Sequence, residues 1–255
     1  MKPIKSEIVD QLKYEVYNQR EDMGISAGRK AANVIKEALK EKDEVRIIFA
    51  CAPSQNEMLH ELLQDDGIDW SKVVGFHMDE YIGLPQNSDK WFKIYLENHL
   101  LSKKKLKDFH FIDGTAEPEK MMEQYTELIN EKPIDLVCLG VGENGHIAFN
   151  DPPVADFKDP YTIKKVALDE FSRQQQVNDG VFPSIEDVPT HALSLTIPAL
   201  MKGNSMVCTV PGEKKQQAIQ SMLNDDITLA CPATILRTHG NAHLFLDKEA
   251  YGNNI

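Results

Sequence analysis

Asp135-Leu136-Val137-Cys138-Leu139-Gly140-Val141-Gly142 passes from a short apolar run directly into a glycine turn. Such a run, bounded by turn residues, reads as a buried strand with a tight connection after it. The same pattern recurs along the chain. Residues 45–50 form an apolar run before a loop, with a helix from about Ser54. Residues 73–78 run straight into Asp79-Glu80-Tyr81. Residues 205–210 end in Pro211-Gly212, and residues 242–246 make a late fifth strand. Between them lie helical faces: Ala31, Ala32, Ile35, Ala38 and Leu39 within 27–39, and Ala218, Ile219, Met222 and Leu223 within 214–223. Strands alternating with helices predict an α/β fold, a mostly parallel sheet covered on both faces. No repeat or low-complexity linker divides the chain, so residues 1–255 read as a single domain. Residues 151–190 stand apart as polar, proline-bearing and weakly periodic. They read either as a lid or as a peripheral helix with loops.

Composition excludes several classes. Of 255 residues, 42% are hydrophobic and 27% charged, which is the balance of a globular protein and not of a disordered one. The 28 Lys and Arg against 40 Asp and Glu give a formal charge of −12. That field repels a phosphate backbone, so no nucleic-acid partner is expected. It also opposes an anionic small substrate, which would need local devices to hold it. No apolar run reaches the ~20 residues of a membrane span, and residues 1–7 lack the apolar core of a signal peptide. Cys51, Cys138, Cys208 and Cys231 are scattered, which argues against a disulfide framework or a zinc site. A cytoplasmic location is expected.

In open α/β sheets, ligands bind beyond the carboxyl ends of the strands. After the first strand, Ser54 and Glu57 form an S-x-x-E capping box, and the amides of that helix start suit a phosphate. Most such boxes only cap helices. After the second come Asp79 and Glu80. Alternation sends their side chains to opposite faces, so only one should reach a shared site. A carboxylate held there and partly desolvated can act as a general base; the alternative is a solvated acid or a helix cap. After the third, a glycine loop carries Asn144, His146 and Asp151. As a histidine, His146 could shuttle protons to a ring oxygen, with Asn144 and Asp151 flanking it; a structural histidine is the alternative. After the fourth, Lys214 and Lys215 open a helix, where cations oppose the helix dipole unless an anion is bound.

These segments resemble the glucosamine-6-phosphate deaminase/isomerase family, which shares its fold with 6-phosphogluconolactonases. The resemblance rests on residues 78–85 (MDEYIGLP), on residues 139–152 (LGVGENGHIAFNDP), and on Val210-Pro211-Gly212 with Lys215, and it runs from about Ala27 to Leu246. It implies a Rossmann-like three-layer sandwich with a lid. It also implies that Asp79 abstracts the C2 proton of an open-chain amino sugar phosphate while His146 drives ring opening. Glucosamine 6-phosphate and water would give fructose 6-phosphate and ammonia, without metal or organic cofactor. Catalytic positions are then Asp79, His146, Asn144 and Asp151. Substrate-binding positions are Ser54, Gln55, Asn56, Glu80, Gly142, Lys215 and, for the lid arginine, Arg173. Relatives occur as monomers and as hexamers, so a homo-oligomer is compatible with the resemblance.

The departures widen the choice. Deaminases usually carry aspartate at Asn144 and glutamate at Asp151, and the usual phosphate loop is replaced by Ala52-Pro53-Ser54-Gln55-Asn56. A galactosamine-6-phosphate isomerase, a 6-phosphogluconolactonase and a non-catalytic sugar-phosphate sensor remain as alternatives. No site for allosteric activation is evident around residues 156–165.

Overall fold

The computed structural model describes residues 1–252. The chain opens with a hairpin, β1 (Lys5–Val9) and β2 (Leu12–Tyr17), before α1 (Arg20–Glu41). Then come β3 (Val45–Phe49), α2 (Asn56–Gln64), β4 (Val73–His77) and β5 (Asp79–Tyr81). Next are α3 (Phe92–Leu96), β6 (Asp108–His110), α4 (Pro118–Asn130) and β7 (Leu136–Leu139). The segment expected as a lid contains β8 (Ile163–Ala167) and α5 (Glu170–Asn178). The chain continues through β9 (His191–Leu195), α6 (Ile197–Met201), β10 (Ser205–Val210) and α7 (Gln216–Asn224). It closes with β11 (Ala242–Asp247) and α8 (Lys248–Tyr251).

Eight strands form the main sheet in the order β1-β2-β11-β10-β7-β3-β4-β6. Every pairing in it is parallel except the β1–β2 hairpin. The five strands expected from the apolar runs all lie in this sheet. Their uninterrupted burial follows from helices on both faces, so both side-chain sets face apolar neighbours. One core cluster, with Ile48, Phe76, Val137, Leu139 and Ile219, fills one face; another, with Met23, Ile35, Ile47, Leu59 and Phe245, fills the other. A second sheet, β5-β9-β8, is antiparallel and has its own small core of Tyr81, Trp91, Phe149, Val166 and Phe182.

Helix α1 starts seven residues earlier than its apolar face predicts, at Arg20 instead of residue 27. It buries Met23, Ala27, Ala31 and Ile35, and burying Met23 and Ile35 contributes roughly 1.5–3 kcal/mol each. Its close approach to α2 depends on Gly24, where a Cβ would lie 2.2 Å from Glu57 Cβ. The expected capping box does not form. Pro53 opens a single 3₁₀ turn, which takes Ser54 inside the helical start, and Glu57 turns to Arg20 instead, with Arg20 Nε donating at 2.9 Å. The expected helix at 214–223 likewise begins as a 3₁₀ turn over Glu213–Lys215 before α7. All four cysteines are buried and free. Among the described residues, no helix is long and apolar enough to cross a membrane.

Candidate active site

A cavity of about 520 Å³ opens beyond the carboxyl ends of the main sheet. Ser54, Asp79, Gly142, His146 and Lys215, each arriving from the end of a strand or the turn after it, all line it. Residues 151–190 contribute Gln175, Gln176, Asp179 and Val181 to the wall. Among the described residues, no group of three or more His, Cys, Asp or Glu is placed to hold a metal ion.

Asp79 begins β5 and is 7% exposed. Burial and then the nearby Glu80 charge push its carboxyl well above the usual range, so its carboxylate is a stronger base than a solvated one. Strand β9 fixes its position. Asp79 pairs with Ser194 in register, and Leu195 N donates to Met78 O at 2.8 Å. The same strand holds the histidine loop. Ser194 Oγ accepts from Phe149 N at 3.0 Å, and Leu195 O accepts from Asn150 Nδ2 at 2.8 Å. One strand, unmarked in the sequence, thus aligns the Asp79 segment and the His146 loop.

His146 packs against Gly142, where any Cβ would come within 2.2–2.4 Å of the imidazole atoms. Only glycine leaves room for the ring there. His146 Nδ1 lies 2.8 Å from Asp151 Oδ1, and its Nε2 has no protein partner among the described residues. Asn144 Nδ2 and Ser172 Oγ also donate to Asp151 Oδ1, at 2.8 and 2.6 Å. Burial works to raise the Asp151 carboxyl. The histidine's hydrogen bond and charge, with the bonds from Asn144 and Ser172, outweigh burial and hold it below the usual range. The loop between His146 and Asp151 carries Ala148 at φ 51°, a left-handed conformation costly for a residue with a Cβ, and Ala148 lines the cavity.

Four of the expected substrate-binding residues point elsewhere. Glu80 is fully buried, faces away from Asp79 by strand alternation, and accepts from the amides of Tyr81, Phe92 and Lys93 at 2.9–3.1 Å. It caps the start of α3, and burial against those bonds leaves its carboxyl at about 7. Gln55 is buried by the 3₁₀ turn and donates to Thr209 Oγ1 at 2.8 Å and Leu139 O at 3.2 Å. Asn56 accepts from the Tyr95 hydroxyl at 2.8 Å. Arg173 donates to Ile185 O and Val188 O, tying down the loop after α5 instead of reaching into the cavity. Asn144 touches the imidazole only through Asp151; its Oδ1 takes the His146 amide at 3.0 Å, so it positions the pair. Ser172 was missed. It lies 26 residues from His146 in sequence, and no local pattern marks it.

The family model described as glucosamine-6-phosphate isomerases/6-phosphogluconolactonase matches residues 18–245. The chain belongs to this family. A glucosamine-6-phosphate deaminase of Listeria welshimeri is 33% identical over 227 residues, 89% of this chain and 94% of that protein. One of Enterococcus faecalis is 29% identical over 88% of this chain and 93% of its own. Among solved structures, a monomeric glucosamine-6-phosphate deaminase superposes with TM-score 0.83 at 25% identity, covering 93% of this chain and 98% of its own. The 6-phosphogluconolactonase of Thermotoga maritima, at TM-score 0.74 and 21% identity over 92% of this chain and all of its own, shares the fold. Membership of the glucosamine-6-phosphate isomerase/6-phosphogluconolactonase family accounts for both expected motifs lying at one cavity.

The Asn144–Asp151 contact makes a reversal testable. Asn144→Asp exchanges a donor for a second carboxylate 2.8 Å from Asp151 Oδ1. Like charges at that distance cannot both ionise cheaply. The variant should lose about 1–3 kcal/mol of stability at neutral pH, as expected for a broken buried bond. The loss should shrink as pH falls through the carboxylate range, where one acid is protonated and donates again. Chemical denaturation across pH reads this; a loss equal at every pH would contradict it.

Proposed function

We propose that this protein is an amino-sugar-phosphate isomerase/deaminase that converts glucosamine 6-phosphate and water to fructose 6-phosphate and ammonia. The observation that carries the reading is the shared cavity of Asp79 and His146, with β9 bonded to both of their loops. His146 would protonate the ring oxygen through Nε2 while the Asp151 carboxylate at Nδ1 supports the imidazolium. The opened sugar then presents C2 to Asp79, which takes its proton. Return of that proton at C1 leaves a ketose-level imine, and water adds to it to release ammonia. The substrate's own C1 carbonyl delocalises the carbanion, so the step asks for no added electron sink.

The anionic end would lie by the Pro53–Ser54 turn and Lys215. Burial lowers the Lys215 pKa, opposed by Asp179 and Glu143; a bound phosphate would compensate that buried charge. These local groups answer the unfavourable charge of −12. The test is joint measurement of ammonia and ketose phosphate from glucosamine 6-phosphate, with galactosamine 6-phosphate and 6-phosphogluconolactone in parallel. Equal amounts of both products from the first substrate are expected. Turnover of the lactone alone, or none on either hexosamine phosphate, rejects the reading.

A further inference from the structure

We propose that Arg20 is the arginine that binds the substrate's phosphate, in the place expected of Arg173. The assignment deepens the amino-sugar-phosphate reading above and rests on it for the substrate. Arg173 spends its guanidinium on the carbonyls of Ile185 and Val188, whereas Arg20 lines the cavity beside Pro53 and Ser54. Its side chain is 41% exposed, so an incoming anion can reach it.

The geometry holds the fork in place. Nε donates to Glu57 Oε1 at 2.9 Å and Nη2 donates to Pro53 O at 2.5 Å, which leaves Nη1 without a protein acceptor among the described residues. The contact of α1 with α2 at Gly24 is what brings this side chain to the turn. On the other flank, Thr209 Oγ1 of β10 donates to Ser54 O at 3.2 Å, and β10 leads through Pro211 to Lys215. Cations from α1 and from the turn after β10 therefore flank one turn. Arg20 is also the first residue of its helix, which has no side-chain cap. A planar guanidinium suits a phosphate, which can accept two parallel bonds from it.

The experiment compares wild type, Arg20→Ala and Glu57→Gln by calorimetric titration of inorganic phosphate and by kcat and KM on glucosamine 6-phosphate, with melting curves to check folding. Arg20→Ala should weaken phosphate binding and raise KM on the order of 10–100-fold, the range for a bond to a charged group, with kcat within a few-fold. Glu57→Gln breaks the same ion pair but keeps the guanidinium, so phosphate should bind as in wild type or tighter. A folded Arg20→Ala protein with wild-type phosphate affinity overturns the proposal. So does a Glu57→Gln loss as large as that of Arg20→Ala, because the arginine would then act only through the fold, and so does a wild type that binds no phosphate. If wild type turns over no hexosamine phosphate while Arg20→Ala alone loses phosphate, the catalytic reading falls and the anion site stands.

Discussion

Asp79→Asn is expected to cut turnover by about 10²–10⁴-fold, the usual worth of a positioned general base. The same change should raise the melting temperature. The Asp79 carboxyl sits well above its usual range because burial, then Glu80, disfavour its charge. For a carboxyl raised in this way, folding favours the protonated form, and stability is lost as pH rises through the folded pKa. The asparagine carries no such charge, so its advantage should be small in acid and grow towards pH 8. For the same reason the acid limb of kcat/KM in wild type should lie above the ordinary carboxylate range, because the base exists only above the raised pKa. Calorimetry at acid and alkaline pH, beside ammonia release, measures both effects. A melting temperature that falls equally at both pH values would show that Asp79 is a structural acid.

Asp151→Asn should reduce turnover by about 10²–10³-fold, with the opposite effect on stability. Asp151 Oδ1 accepts from His146, Asn144 and Ser172, and those bonds hold its carboxyl low despite burial. A lowered carboxyl contributes stability above its unfolded pKa, and the contribution is lost as pH falls through the folded one. The amide keeps the shape but drops the charge that supports the imidazolium. The variant should therefore be less stable near neutrality, by about 1–3 kcal/mol, and approach wild type in strong acid. Unchanged turnover in a folded variant would remove Asp151 from the machinery. The two exchanges together separate an acid kept for chemistry at a cost in stability from one that the fold itself favours.

Strands β3, β4, β7, β10 and β11 of the central sheet were legible because each is buried on both faces and reads as a largely apolar run before a turn. The hairpin was not. Lys5-Ser6-Glu7-Ile8-Val9 lies at an edge with most of its residues solvated, so its composition resembles a loop. The second sheet escaped for a related reason: β5 is Asp79-Glu80-Tyr81, three residues that look like a polar turn. Alternation correctly separated Asp79 from Glu80, yet Glu80's destination, the amides of Phe92 and Lys93, is a tertiary fact with no local mark. The same holds for Ser172 and for Arg173. A residue type in a polar segment does not say which way it turns, and carbonyls at Ile185 and Val188 captured the guanidinium first. Asp79, Gly142 and His146, close in sequence to a strand end, reach the cavity because the strand itself supplies their position.

One face of the small sheet has its own core, while Ile163, Leu193 and Leu195 on its other face pack into a cluster on the main sheet; the small sheet carries Asp79 at one edge and runs through β8 into α5 at the other. Cooperative opening follows shared packing, so elements with a common core loosen together. The strand that carries Asp79 is thereby tied, through β9, to the packing of the eight-stranded framework.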